Sequence, residues 1–213
     1  MTEIAAIVLA AGRSSRYLAG GGAEASKLIA VYRGEPLVRR VALAALASCA
    51  RPLVVVTGHA RNDVEASLAG LPVAFTFNPD FASGLASSLR TGVAALPASA
   101  PGAVVLLGDM PEIEAATIDR IVKVFITSSS LVAAVPVHAG RRGNPVLLGR
   151  DMFAAVARLE GDEGARRLLR EAAPDRVVEV PFDDAAVTLD IDTPGDLATA
   201  RKLLGPATRE TSR

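Results

Sequence analysis

Ile4-Ala5-Ala6-Ile7-Val8-Leu9-Ala10 runs without a polar break into Ala11-Gly12-Arg13-Ser14-Ser15-Arg16, an apolar segment that ends in a loop of small residues carrying two arginines. A short apolar run with no alternation predicts a strand buried on both faces, as in a parallel sheet covered by helices on either side. Outward from it the pattern repeats. Strands are expected at 53–57, 73–77, 103–107, 131–135, 145–148 and 177–180. Between and beyond them, amphipathic stretches predict helices at 36–48, 63–69, 84–96, 115–125, 150–158, 162–171 and 194–203. Thr193 before Pro194 reads as an N-cap with proline at the first helical position. This alternation predicts an α/β fold: a Rossmann-like three-layer α/β/α arrangement with a mostly parallel sheet. In open sheets of this kind ligands bind beyond the carboxyl ends of the strands, so the residues just after each strand are the first candidates for function.

A chain of 213 residues suits one substantial core, and no linker or repeat divides it, so 1–205 is read as a single domain and 206–213 as a flexible polar tail. Acidic and basic residues balance at 23 each, which gives no broad attraction to nucleic acid or to an anionic membrane; neither is expected as a partner. The lone cysteine, Cys49, excludes an intrachain disulfide and is read as a small core residue. The N-terminus has no basic segment of a signal peptide and its apolar run is too short to span a membrane, so a cytoplasmic location is expected.

The loop after the first strand joins Leu9, Ala10, Ala11, Gly12, Arg13, Ser14 and Ser15 to Arg16, with Lys27 eleven positions beyond Arg16. Small residues let the backbone approach a ligand, N–H groups in such a turn can converge on phosphate oxygens, and the two cations supply charge. Gly12 lacks the spacing of a dinucleotide fingerprint and no glycine precedes Lys27 as in a P-loop. Farther on, Gly108-Asp109-Met110-Pro111 closes a buried strand on a carboxylate, and Asp190-Ile191-Asp192-Thr193-Pro194-Gly195-Asp196-Leu197 supplies a second acidic cluster. Mg²⁺ takes one or two protein carboxylates and completes its octahedron with phosphate oxygens and water, so Asp109 is a plausible anchor. If the second cluster is extended, Asp190 and Asp192 lie on one side.

Leu-Ala-Ala-Gly followed by paired serines, arginine and a later lysine resembles the signature of the MobA-like nucleotidyltransferases, in the form typical of the molybdenum cofactor cytidylyltransferases. The Gly-Asp-Met-Pro and Asp-x-Asp-Thr-Pro-x-Asp-Leu segments match the same group without a gap. That resemblance implies the nucleotide-diphospho-sugar transferase type of fold and transfer of CMP from CTP to molybdopterin (molybdenum) cofactor, with release of pyrophosphate. It implies that the first loop and Gly108 hold the nucleotide and that Arg16 and Lys27 neutralise phosphate charge. It also makes Asp109 and Asp192 ligands of Mg²⁺, with Mn²⁺ as the alternative ion. A molybdenum hydroxylase or its maturation factor would be the downstream partner. The chain departs from the group after Arg16, where Tyr17-Leu18 and the Gly20-Gly21-Gly22 patch push Lys27 outward; its role requires the loop to fold back.

Three further segments face the crevice in this reading. Asn78, Ser83, Gly84 and Ser88 surround a helix start whose free N–H groups would suit an anion or a base edge; capping by Ser83 is the alternative. Arg142, Gly143, Asn144 and Pro145 resemble the group's Gly-x-Arg-Gly-x-Pro-Val, and Asp162 lies in its Gly-Asp-x-Gly-Ala-Arg; by resemblance both contact the acceptor. No G-x-S-x-G elbow supports a serine hydrolase, and two isolated histidines, His59 and His138, do not make a zinc site. The competing readings are the same chemistry with GTP or another phosphorylated acceptor, a non-catalytic cofactor carrier, and an NAD(P)-dependent oxidoreductase.

Overall fold

A computed structural model of the chain describes residues 3–203 apart from residue 163; the tail expected at 206–213 lies outside the described residues. β1 (Ala5–Ala10) is buried at all six positions. It is followed by α1 (Ser15–Ala19), a 3-10 turn at Lys27–Ile29, and a hairpin of β2 (Val31–Tyr32) and β3 (Glu35–Pro36). Then come α2 (Leu37–Ala47), β4 (Leu53–Thr57), α3 (Arg61–Ser67), β5 (Ala74–Phe77), α4 (Leu85–Ala94), β6 (Gly102–Leu107) and α5 (Ala115–Phe125). The last part holds β7 (Ala133–His138), β8 (Arg141–Arg142), β9 (Val146–Gly149), α6 (Phe153–Val156), α7 (Ala165–Glu171), β10 (Val177–Pro181) and α8 (Pro194–Leu203).

The main sheet runs β10-β7-β9-β6-β1-β4-β5, with β8 paired to β7. β1 is central because both of its faces are apolar. Ala6, Val8 and Ala10 point into one core with α2 and α5, whereas Ala5, Ile7 and Leu9 point into the other with α4, α6 and α7. These are the two helical layers anticipated from the sequence. β4 and β6 flank β1 on opposite sides and both run parallel to it, so the strand order reverses at β1 and a crevice opens beyond its carboxyl end.

One strand departs from the parallel pattern: β9 runs antiparallel to both β6 and β7. The reason is connection length. A parallel crossover needs a dozen or more residues, but only residues 139–145 separate β7 from β9, and they are spent on the turn at Ala139-Gly140 and the short β8. The pair Arg141-Arg142 is therefore a strand and not a loop.

α4 lies directly on the sheet. A Cβ built on Gly92 would sit 2.7 Å from Ile7 Cγ2 and 3.0 Å from Val56 Cγ2, so only glycine lets the helix come this close. Gly92→Val should destabilise the fold by about 1–3 kcal/mol through overpacking, measured by urea denaturation; an unchanged midpoint would refute the tight contact.

Candidate functional site

The loop beyond β1 is shaped by two serines. Ser14 takes a left-handed backbone conformation (φ 54°) and turns its hydroxyl inward. There Oγ lies 3.0 Å from Ser26 Oγ and accepts from the Lys27 backbone N–H at 3.1 Å. Ser26 Oγ also accepts from Leu28 N–H, capping the 3-10 turn. The Gly-rich insertion between them closes on itself: Gly22 N–H donates to Tyr17 C=O, and the buried Tyr17 donates its hydroxyl to Glu24 at 2.5 Å. Burial, with Glu24 beside it, pushes the Tyr17 hydroxyl up to about 12. The insertion therefore does fold back, and Lys27 returns to the mouth of the β1 loop.

There the ammonium of Lys27 sits 2.7 Å from Asp109 Oδ2 and 2.5 Å from Asp192 Oδ1, while Arg16 Nη1 meets Asp192 Oδ2 at 2.5 Å. Asp109 follows β6, and its carbonyl accepts from Ile191 N–H at 3.0 Å, which draws the second acidic segment alongside. Asp192 does not cap α8. Thr193 and Asp196 do so between them, with Asp196 Oδ2 accepting from Thr193 N–H and Thr193 Oγ1 accepting from Asp196 N–H. The Asp192 carboxylate is thereby left for the cations. Residues 189–193 form no strand; Asp190 is exposed and stands outside the cleft lining, yet near enough to Asp109 to push its carboxyl up.

The charges are unevenly compensated. Burial alone would push Lys27 down, but Asp109 and Asp192 outweigh it and hold the ammonium above its ordinary value. Burial would raise Asp192, yet Lys27 and Arg16 hold its carboxyl below the usual range. Asp109 goes the other way, because burial raises it by more than Lys27 lowers it. Both partners of the Lys27–Asp109 pair are thus raised, which favours the charged ammonium and disfavours the charged carboxylate; Asp109 Oδ1 is buried with no hydrogen-bond partner to offset its desolvation. That oxygen's acceptor capacity is unused. Among the described residues no group of three or more His, Cys, Asp or Glu side chains is arranged to hold a metal. Two carboxylates plus substrate phosphates are nevertheless the donor set that Mg²⁺ uses.

A cleft of about 610 Å³ opens over these groups, lined by Leu9, Ala11, Gly12, Arg13, Ser14, Ser15, Arg16, Lys27, Asp109 and Asp192 and, on the far side, by Phe81, Ala82, Gly84, Leu85, Ser88 and Asp162. Ala10 and Gly108 are buried behind it, where Gly108 N–H donates to Leu9 C=O. A second cavity of about 580 Å³ adjoins it and shares Leu85, Leu107 and Asp162. Its other walls are Val135, Arg142, Gly143, Asn144, Val146, Ala165, Arg166, Leu169 and Arg170.

With this geometry in view, the sequence model of one family, the MobA-like NTP transferase domain, matches residues 6–177. The chain belongs to the MobA-like NTP transferase family. It is a nucleotidyltransferase, 28% identical to the molybdenum cofactor cytidylyltransferase of Escherichia coli over 95% of this chain and 97% of that one. It is also 30% identical to the molybdenum cofactor guanylyltransferase of Cupriavidus metallidurans, over 92% and 93% of the two chains. The nicotine blue oxidoreductase of Paenarthrobacter nicotinovorans is 29% identical over 89% and 92%. Among solved structures, Rv0371c from Mycobacterium tuberculosis superimposes with a TM-score of 0.80 at 30% identity, over 93% of this chain and 97% of that one, and it has also been solved as a complex with manganese.

In this MobA-like chain five expectations change. Asn78 is 1% exposed and does not line the cleft; its amide donates to Ser87 and Ser88 Oγ, so it fixes the hydroxyls of α4. Ser83 is exposed, lies off the cleft and does not cap α4, because its hydroxyl donates back to Asp80 C=O. Nor is the start of α4 open to an anion: Asp162 Oδ1 accepts from Leu85 N–H and Gly161 C=O from Ala86 N–H. Asp162 is the helix cap as well as a cleft residue. Pro145 lies outside both linings, joined to Asn144 by a cis peptide bond. Cys49 is exposed and not in the core.

Sequence reasoning missed Phe81, Leu107 and Arg170 as wall residues. Arg170 carried a readable signal, since it lies four residues after Arg166 and so on the same helical face. No helix among the described residues is long and apolar enough to cross a membrane.

The depressed Asp192 carboxyl has a definite pH consequence. Its folded pKa lies below the unfolded value of about 3.9, so its stabilising contribution is present above that pH and is lost as pH falls through the folded value. Asp192→Asn should therefore be less stable than wild type at about pH 7, and the difference should shrink at about pH 3. Urea unfolding at the two pH values checks this; a gap that persists unchanged in acid would refute the pairing.

Proposed function

We propose that this nucleotidyltransferase transfers CMP from CTP to the terminal phosphate of molybdopterin (molybdenum) cofactor. An oxygen of the acceptor phosphate attacks the α-phosphorus of CTP, the bond from that phosphorus to the α,β-bridging oxygen breaks, and pyrophosphate leaves. The observation that carries this reading is the pair of adjoining cavities: one with Lys27 and Arg16 over two carboxylates, the next walled by arginines above an apolar floor.

In this reading the loop of Leu9, Ala11, Gly12, Arg13, Ser14 and Ser15, with Ser88 and Gly84 opposite, receives the nucleotide, and Lys27 and Arg16 neutralise its phosphates. Asp109 and Asp192 would hold Mg²⁺, or Mn²⁺ in its place; when bound, the ion supplies charge neutralisation at the transferring phosphate. The unpartnered Asp109 Oδ1 fits that role. Arg142, Gly143 and Asn144 face the acceptor, and Asp162 stands between the two substrates. An attacking phosphate is already anionic, so no strong general base is required, and catalysis consists of positioning and electrostatic stabilisation. The cytidylyltransferase relative and the Leu9-Ala10-Ala11-Gly12 form of the loop support CTP. An oxidoreductase activity like that of the nicotine blue oxidoreductase relative has less support, since Gly12 lacks a dinucleotide fingerprint.

The test is pyrophosphate release with Mg²⁺ and intact molybdenum cofactor, comparing CTP, GTP, ATP and UTP. Turnover with CTP alone is expected; preference for GTP would shift the reading to guanylyl transfer, and no turnover in folded protein would favour a carrier or another acceptor. Lys27→Ala should lower turnover by about a hundredfold or more, the scale of losing one positioned charge stabiliser, and Asp109→Asn should abolish metal-dependent activity. Near-normal rates in either variant would remove that residue from the mechanism.

A further inference from the structure

Asp109 and Asp192 reach the cleft from opposite ends of the C-terminal half, one after β6 and one before α8. Two carboxylates side by side repel, and what holds them together here is a protein cation. The Lys27 ammonium donates to both, at 2.7 and 2.5 Å, and Arg16 takes the remaining oxygen of Asp192. Three of the four carboxylate oxygens are engaged by these cations, and only Asp109 Oδ1 is without a partner.

Mg²⁺ binds oxygen at about 2.0–2.1 Å. An ion shared by the two carboxylates could take the unpartnered Asp109 Oδ1, but on Asp192 it would need an oxygen that Lys27 or Arg16 now holds. The exchange has a natural trigger. Lys27 is largely buried and its backbone N–H donates to Ser14 Oγ, while the Arg16 side chain on Asp192 is exposed. Both line the cleft that phosphates would enter.

Resting on the nucleotidyl-transfer reading above, we propose that Lys27 is the resident counter-cation of the Asp109–Asp192 pair and gives way to the divalent metal only when nucleotide phosphates draw it off. Nucleotide and metal then bind as a coupled pair, each raising the affinity of the site for the other, as linkage requires. Arg16 acts as the outer tie on Asp192 and is released by the same phosphates. The arrangement keeps the carboxylates together before substrate arrives and disfavours metal capture by the nucleotide-free protein.

The test reads metal binding, not turnover. Mn²⁺ is titrated into the full chain and free Mn²⁺ is followed by electron paramagnetic resonance, with and without an α,β-methylene analogue of CTP. Wild type should bind Mn²⁺ at least about tenfold more tightly with the analogue, within the usual range of coupling. Lys27→Met, without nucleotide, should gain at least about tenfold over nucleotide-free wild type. Arg61→Met removes a charge outside the cleft and should change the nucleotide-free affinity by less than about threefold, the effect of screened long-range charge alone. Lys27→Gln provides a second variant, and thermal unfolding verifies that each is folded.

No gain in either folded Lys27 variant, or equal Mn²⁺ affinity of wild type with and without the analogue, overturns the proposal. Asp109→Asn and Asp192→Asn separate it from the reading beneath. If both lose Mn²⁺ binding while the Lys27 variants show no gain, only the counter-cation role fails. If both bind Mn²⁺ as wild type does, the metal assignment fails and the exchange with it.

Discussion

The contact between the Lys27 ammonium and the carboxylates of Asp109 and Asp192 ties Lys27 to residues 82 and 165 positions further along the chain. Clusters of partly buried charge add little to stability, because desolvation offsets most of the attraction. Their presence at the carboxyl end of the central strands is better explained by the anionic chemistry of the cleft. The surrounding structure maintains it: the Ser14–Ser26 contact returns the Gly-rich insertion to the loop, the Ile191–Asp109 backbone bond aligns the acidic segments, and the Thr193–Asp196 cap relieves Asp192 of capping duty.

The far wall depends on α4. Close packing at Gly92 sets the helix against β1 and β4, and Asn78 orients Ser87 and Ser88 from beneath. The N–H groups at its start are taken by Asp162 and Gly161, so this helix end joins two segments of the protein and does not present a free anion site. One aspartate thereby borders both cavities. A shift of the 161–162 segment would be felt on both sides at once.

The second cavity owes its existence to the reversed strand. Because β9 returns antiparallel through a short connection, Arg142, Gly143 and Asn144 are delivered to the crevice beside α7, which contributes Arg166 and Arg170. An all-parallel sheet would have required a covering crossover at this point and would have closed the space.

Local pattern made the layers of the fold legible. Apolar runs without alternation mark strands buried on both faces, since only a two-sided core removes all their side chains from water, and the loops after β1 and β6 carried the glycine, arginines and aspartate that line the cleft. What sequence could not decide were the long-range partnerships of polar side chains. The same serine or asparagine can cap a helix, brace a neighbour or meet a ligand at similar cost, and the packing around it selects among them. Hence Asn78 and Ser83 moved off the cleft, Asp162 became a cap, and Cys49 proved exposed. Lys27, separated from the β1 loop by a flexible insertion, acquired its position only through Ser14, Ser26 and the two carboxylates, contacts that exist only once the chain has folded.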